Sequence, residues 1–516
     1  MTVTQSDIAV RTESLLRPDS GRVISRLFVP GQEDFGSNQA RTDQVIERLL
    51  HLEESEVCRE LQELTERFGS RHKHLYEVFE MNAQKVSGRV DTDERLSLER
   101  WRLLGALFTH EYSIEGASVT NPSAVMHPDQ SGLAEGFARF VMSVRGIGEG
   151  HRSSIGFRVG TISQEGEIAF DPPGVYPVTG HHFETLLCKE DFIGLQEAEG
   201  GLGENARHLL AGMGARFTVA EFHDALMKFS RERDSFLYAD VTVRQFRLVA
   251  ERNYIVTFPI DTEISERVLW PNSTAEWRGM EDARFVRFED ETGVRYLATY
   301  TAFDGLEISQ QLLSTSDFVT FESHPISGFA AVGKGLAIFP RKIGGRYAAM
   351  SRADHETNFV SYSDSLTHWT DATPVQVPNK SWELIQMGNC GSPIETDSGW
   401  LLFTHAVGPM RTYCISALLL NLEDPTIVIG SLKDALLCPT EAERDGYTPN
   451  VLYSCGSFQM GKHVMIPYGI ADQSIGIALV HIDDLVSSLI AQHQDSGSVI
   501  TDDTASIKRN GASNTY

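Results

Sequence analysis

Several signatures are missing from this chain of 516 residues. No apolar run approaches the roughly 18 residues that a membrane-spanning helix needs. Positive charge is scarce: 45 Lys and Arg stand against 71 Asp and Glu, for a formal net charge of −26. Nucleic acid is repelled by such a field, and any anion that binds needs a local basic pocket. The cysteines Cys58, Cys188, Cys390, Cys414, Cys438 and Cys455 are scattered without a CxxC pair. That spacing argues against a zinc site and a disulfide scaffold and fits a reducing cytoplasm. The opening MTVTQSDIAVRTE has neither a basic nor an apolar signal region, so no secretory signal is expected. GxxxxGK[ST], GxSxG and HExxH are absent, and the glycines of RGIGEG have no βαβ unit around them, which removes support for nucleotide loops, serine hydrolases and zinc proteases.

What is present is globular: 41% hydrophobic and 22% charged residues exclude a wholly disordered or collagen-like chain. Between 38 and about 89, apolar residues recur at helical spacing, as in Val45, Ile46, Leu49 and Leu50, then Leu61, Leu64 and Phe68. Asp91 and Asp93 are candidate caps for a helix through ERLSLERWRLLGALF. Residues 1–104 are therefore expected to form a helical region for packing or self-association. After Phe108 the texture changes, and five segments look alike: GFARFVMSVRG at Gly136, GVRYLATYTAFDG at Gly293, GGRYAAMSRAD at Gly344, SGWLLFTHAVG at Ser398 and GKHVMIPYGIAD at Gly461. Each combines a Gly-containing turn, an apolar strand and a polar or aromatic exit. The last three intervals, about fifty to sixty residues each, match a four-stranded propeller blade. The expected fold is mainly β: a five-bladed β-propeller over 105–490 with a helical insertion at about 184–248, where Leu209, Leu210, Phe222, Leu226 and Phe229 return to helical period. The polar stretch 491–516 is expected to be disordered.

If the five similar strands line one axis, their ends meet at one mouth and gather Arg145, Tyr300, Asp304, Arg352, His405, Tyr468 and Asp472. Such a set suits a polyhydroxylated ligand together with an anion. Any single member can equally be a strand-end residue bonded to its own turn. In WRGMEDARFVRF, Glu281 and Asp282 are flanked by Arg278 and Arg284, neighbours that lower carboxylate pKa values; a structural Asp–Arg pair stays as open as catalysis. Arg341 and Lys342 in FPRKIGGRY and Arg152 in GHRSSI add basic groups, with solvated surface charge as the default for Lys342. A pocket holding Arg145, Arg152, Arg341 and Arg352 would reverse the local charge and form an anion subsite. The 17 histidines are dispersed, and His405 at a strand exit suits a hydrogen bond to a sugar better than metal ligation.

Seven collinear stretches carry a family resemblance: NPSAV at Asn121, GHRSSIGF at Gly150, GMEDARF at Gly279, FPRKIGGRY at Phe339, GNCGSPIETDSGWLLFTHAVGPMRTY at Gly388, YTPNVLYSCG at Tyr447 and PYGIADQSIGIA at Pro467. Together they resemble glycoside hydrolase family 130, the mannoside phosphorylases and related β-mannosidases. The resemblance implies a five-bladed propeller with Asp282 as general acid, acting through the mannose 3-hydroxyl. It further implies that inorganic phosphate attacks the anomeric carbon with inversion, giving α-mannose 1-phosphate, with no metal and no organic cofactor. By motif, Arg341 and Arg352 would bind phosphate with Arg145 and Ser123 as helpers, while Asp472, His405, Tyr413, Asn121 and Asn450 would hold sugar. Arg152 and Asp304 complete the substrate-binding candidates.

One departure matters. Many family members have Lys after a WE pair, whereas WELIQMGNCG puts Gln386 there. That change keeps an inverting β-mannosidase open, which would need a second carboxylate roughly 6.5–9.5 Å from the first. A glycan-binding propeller without activity is a further alternative. The retained arginines favour phosphorolysis, reversible at the same site. Members with long helical N-terminal regions resemble enzymes acting on β-1,2-linked mannose oligomers. Expected partners are manno-oligosaccharide and phosphate, without nucleic acid or membrane, and the helical region points to a homo-oligomer.

Overall fold

The apolar runs after Phe108 form antiparallel meanders, in which alternating side chains give each strand two faces to bury. The structure is a computed structural model that describes residues 8–30, 39–90, 96–198, 203–232 and 239–495. The first group of strands is Ser118–Met126, Phe137–Ile147, Ser153–Ser163 and Ile168–Phe170; the second is Gly279–Asp290, Gly293–Phe303, Ile308–Thr315 and Thr320–Pro325. Tyr254–Thr257 and His181–Glu184 extend the second group at its outer edge. The third group is Ala337–Ile338, Tyr347–Ser351, Asn358–Ser363 and Thr373–Gln376. The fourth pairs Gln386–Asn389 and Ile394–Thr396 with Gly399–Gly408, followed by Thr412–Leu420 and Val428–Ser431. The last pairs Leu452–Tyr453 and Phe458–Met460 with His463–Ile470, then Ser474–His481.

Contacts run from each group to the next, and from the last back to the first. Phe285 N–H donates to Ser123 Oγ at 3.0 Å. Glu289 N–H donates to the Pro340 carbonyl at 2.9 Å, Met387 N–H to that of Glu356 at 2.9 Å and Tyr413 N–H to that of Asn450 at 2.9 Å. Ser123 bridges Gly456. Between the groups lie apolar clusters, such as Phe157, Phe285, Phe318 and Phe321 between the first and second. Each large side chain buried this way contributes about 1.5–3 kcal/mol.

The five similar sequence segments form the second strand of each group rather than the first. The first strands Ser118–Met126 and Gly279–Asp290 pack against each other, and Gly279–Asp290 also meets Ala337–Ile338. Ahead of the N-terminal helices Gln39–Leu50, Glu54–Phe68, Leu75–Val86 and Leu98–Leu107, the chain holds strands Ala9–Leu16 and Val23–Leu27, which corrects the expectation of a wholly helical start. Ala9–Leu16 pairs with Ser474–His481, so the first residues complete the last sheet. The short alternating segment AVRTESLL has too few residues to announce itself by period alone. Ser97, not an aspartate, caps Leu98–Leu107 by accepting from Arg100 N–H at 3.1 Å; Asp91 and Asp93 lie outside the described residues. In the insertion, Lys189–Ala198, Glu204–Ala211, Val219–Glu232 and Ala239–Glu251 are helices around Phe192, Phe222 and Phe246. Helix Ile482–Asp495 runs into the stretch expected to be disordered, and 496–516 lies outside the described residues.

Cys414 and Cys438 form a disulfide, one bridge in a chain whose cysteine spacing argued against a disulfide scaffold. The sequence separation of 24 concealed a Cα–Cα distance of 4.5 Å. Among the described residues no helix is long and apolar enough to cross a membrane.

Arg11 reaches from the N-terminal strand to Glu443, with two bonds of 3.0 Å each. Deleting residues 1–16 should therefore destabilise the fold by more than about 2 kcal/mol, read as a lower denaturation midpoint in urea. An unchanged midpoint would show that the strand is only laid on the last sheet.

Candidate active site

In strand Gly279–Asp290 the register against Gly293–Phe303 breaks between Glu281 and Arg284. Asp282 sits in that break at φ 54°. Ser118–Met126 has a matching break between Thr120 and Ser123, with Asn121 at φ 47°. A bulge re-aims a side chain at the cost of a sparsely populated backbone conformation, and such strain concentrates at functional positions.

Asp282 is buried, at 4% exposure. Its Oδ2 accepts from Tyr453 Oη at 3.3 Å and lies 3.8 Å from Lys334 Nζ. Arg284, also buried, donates from Nη1 to the Asp282 carbonyl at 2.8 Å and from Nη2 to Tyr453 Oη at 2.6 Å. Arg145 donates from Nη2 to Glu281 Oε1 at 2.5 Å and from Nη1 to Asn121 Oδ1 at 3.5 Å. Arg352 passes over Gly388 beside His405. A Cβ added at Gly388 would lie 2.7 Å from Arg352 Cδ and 2.6 Å from His405 Cε1, so only glycine lets the strand come this close. His405 Nδ1 is 3.1 Å from the Asn389 carbonyl, which can only accept; Nδ1 therefore carries the hydrogen and Nε2 is left as an acceptor. The His405 ring lies 4.6 Å from that of Tyr453 and 6.1 Å from that of Tyr413.

Desolvation alone would raise the Asp282 pKa, but Lys334, Arg284 and Arg145 outweigh it and hold the carboxyl below its ordinary value. Burial, reinforced by Arg352 and Arg284, drives His405 well below the usual imidazole value, so it is neutral at pH 7. Desolvation raises Tyr453 well above a free phenol. Arg145, Arg284, Arg352 and Lys334 converge where the opposing carboxylates are Asp282 and Glu281. The Nε atoms of Arg145, Arg284 and Arg352 are buried without a hydrogen-bond partner. This local excess of donors and positive charge, in an acidic protein, is chemistry that an anion satisfies.

The other expected residues divide. Tyr413 joins the cluster through its ring and accepts from Gln386 Nε2 at 3.4 Å. Asp472, at φ 51°, accepts from Thr120 Oγ1 at 3.3 Å, beside Asn121. Asn450 lies next to the Tyr413 backbone, with its Oδ1 accepting from Arg444 Nε at 3.3 Å. Ser123 Oγ accepts from the Phe285 amide at 3.0 Å, a tie between strand groups. Arg152 stacks over Trp277 at 4.6 Å and Trp270 at 5.9 Å. Asp304 Oδ1 takes the amides of Leu306 and Glu307, each at 2.7 Å, so it holds its own turn. Tyr300 and Tyr468 face away from the cluster, bonded to Glu276 and Glu443.

Arg341 is the clearest correction. It follows Pro340, which is bonded to Glu289 at the far end of the strand that carries Asp282, about 20 Å away at roughly 3.3 Å per residue. There it pairs with Glu395 at 2.8 and 2.6 Å and lines a separate cavity of about 590 Å³. It cannot share an anion with Arg352. Lys334 and Tyr453 are the site members that the sequence reading passed over. Lys334 is marked only by its glycine neighbours Gly333 and Gly335, at φ 78° and 100°, and Tyr453 only by its place in YTPNVLYSCG.

A buried carboxylate beside a convergent set of cations, with aromatic and hydroxyl groups around it, has the chemistry that suits a polyol together with an anion. The family described as beta-1,4-mannooligosaccharide phosphorylase matches residues 236–490. A 1,2-beta-oligomannan phosphorylase of Thermoanaerobacter sp. (strain X514) is 33% identical over 228 residues, covering 43% of this chain and 75% of that protein. A beta-1,2-mannobiose phosphorylase of Listeria innocua is 28% identical over 228 residues, covering 43% of this chain and 63% of that protein. A solved beta-1,2-mannobiose phosphorylase from Listeria innocua, in complex with beta-1,2-mannobiose, overlays with a TM-score of 0.43 at 20% identity, covering 73% of this chain and 94% of that one. The chain belongs to glycoside hydrolase family 130, and it is an enzyme of that family.

Because Gly388 sets the approach of both Arg352 and His405, Gly388→Ala should displace them and lower turnover by about 10²-fold while leaving the far-ultraviolet circular dichroism unchanged. Full activity in that variant would show that neither side chain needs its present position.

Proposed function

We propose that this enzyme catalyses inverting phosphorolysis of β-mannosides, with β-1,2-linked manno-oligosaccharides as substrate and inorganic phosphate as co-substrate. The products are α-mannose 1-phosphate and an acceptor one sugar shorter. The observation that carries the reading is the excess of guanidinium and ammonium groups around Asp282, which suits a phosphate dianion better than water. The phosphorylase names of its relatives support it, and the oligomannan and mannobiose names support the linkage. In this reading Asp282 gives its proton to a mannose hydroxyl, which passes its own to the glycosidic oxygen, while phosphate held by Arg352, Arg145 and Lys334 attacks the anomeric carbon from the opposite face. His405, Tyr413, Asn121 and Asp472 hold sugar hydroxyls, and no metal or organic cofactor takes part.

We read the antiparallel groups as the blades of a five-bladed β-propeller over 105–490, closed by Ala9–Leu16, with the helices ahead of it and the 184–248 insertion as additions. The cycle of contacts between neighbouring groups supports that reading.

Incubation with β-1,2-mannobiose, followed by ³¹P NMR, should yield α-mannose 1-phosphate only when phosphate is added. Free mannose released at the same rate without phosphate would overturn the proposal in favour of a mannosidase. Asp282→Asn should lower turnover by about 10²- to 10⁴-fold with sugar affinity retained, whereas a silent glycan-binding protein would show no turnover to lose.

Arg352→Ala should raise the KM for phosphate at least about tenfold, because a buried charge-assisted contact is lost, and Arg341→Ala should leave it within about twofold. Equal effects from the two substitutions would contradict the assignment of Arg341 to the far end.

A further inference from the structure

Tyr453 has no role in the proton path above, yet its hydroxyl is bonded at 3.3 Å to the carboxyl that the path depends on. The direction of that bond follows from its neighbours. A phenol has one hydrogen to give and lone pairs to accept with, whereas a guanidinium can only donate. Arg284 Nη2, 2.6 Å from Tyr453 Oη, must therefore occupy a lone pair, and the phenol hydrogen is directed to Asp282 Oδ2. Lys334 approaches the same oxygen, at 3.8 Å. Both contacts fall on Oδ2, and Oδ1 has no hydrogen bond or ion pair from another side chain among the described residues. Burial holds the phenol in its protonated, donating form.

We infer that Tyr453 is a positioning residue that reserves Asp282 Oδ2 as the permanent acceptor and leaves Oδ1 as the oxygen that carries and returns the proton. The inference rests on Asp282 being the general acid. In the forward step the Oδ1–H bond breaks and a substrate hydroxyl takes the proton. That hydroxyl's own proton goes to the glycosidic oxygen as the bond to the anomeric carbon breaks and the phosphate oxygen bond forms. The carboxylate left behind is met at Oδ2 by the Tyr453 hydrogen, whose bond to Oη never breaks. Tyr453 therefore favours the ionised product of proton donation, and does so without touching the sugar.

The test is the pH profile of kcat/KM. A general acid must be protonated, so activity falls as pH rises through its pKa. Losing a hydrogen bond to the charged form raises that pKa. Tyr453→Phe should move the alkaline limb upward by about one pH unit and lower kcat at least about tenfold, with the KM for phosphate within about twofold. Tyr413→Phe, in the same aromatic cluster but not bonded to Asp282, should leave the limb in place. Replacement of Tyr453 by 3,5-difluorotyrosine keeps the ring and strengthens the donor, so it should move the limb downward and serves if the phenylalanine variant does not fold. The inference is overturned if Tyr453→Phe lowers activity equally at every pH, or if the fluorinated protein keeps the native limb. Undiminished turnover in Asp282→Asn would instead remove the general acid itself, a failure separable from these.

Discussion

The site depends on one buried charge. Arg284 is closed off from solvent, and burial works against its ionised form, but Tyr453, Cys455 and Asp282 more than restore it. One of its nitrogens holds the carbonyl of Asp282, the residue at the register break. Another holds Tyr453, whose strand belongs to the last sheet. A single guanidinium thus couples the bulge that presents the carboxyl to the last strand group. Breaking a buried pair of this kind by removing one partner costs roughly 3–5 kcal/mol, because the other charge is left uncompensated.

This arrangement explains how an acid can sit among cations. Isolated burial would protonate Asp282, and the surrounding cations reverse that tendency. On the proposed mechanism, a phosphate dianion would neutralise part of the positive field and return the carboxyl toward the protonated state that donation requires. Anion binding and acid strength are in that sense the same electrostatic quantity viewed from two ligands. Neutral His405 adds an acceptor without adding charge, which suits a sugar hydroxyl beside an anion.

Much of this was readable from residues alone, and the failures have physical causes. Arg145, Arg352 and His405 could be placed together because they recur at comparable points of similar segments, whereas Asp282 entered through the family resemblance. Arg341 lies in a motif just as distinct, but a motif marks a residue and not the end of the strand it occupies; the chain direction carries FPRK away from Asp282. Tyr300 fails by parity, since in a strand a shift of one residue turns a side chain to the other face. Asp304 was judged by chemical type, while backbone amides had already claimed its Oδ1. Lys334 approaches Asp282 from a segment that no local pattern connects to it. The strand Ala9–Leu16 pairs with residues more than four hundred positions later, a contact that only the tertiary structure specifies.

The central claim is that phosphate and the Asp282 proton share one field. It is tested most directly by following the Asp282 carboxyl carbon by ¹³C NMR through a pH titration, with and without saturating phosphate and with Asp282→Asn to identify the signal. The account predicts a pKa below the ordinary aspartate value in the free enzyme and a rise when phosphate binds. A carboxyl whose titration is the same with and without phosphate would contradict it.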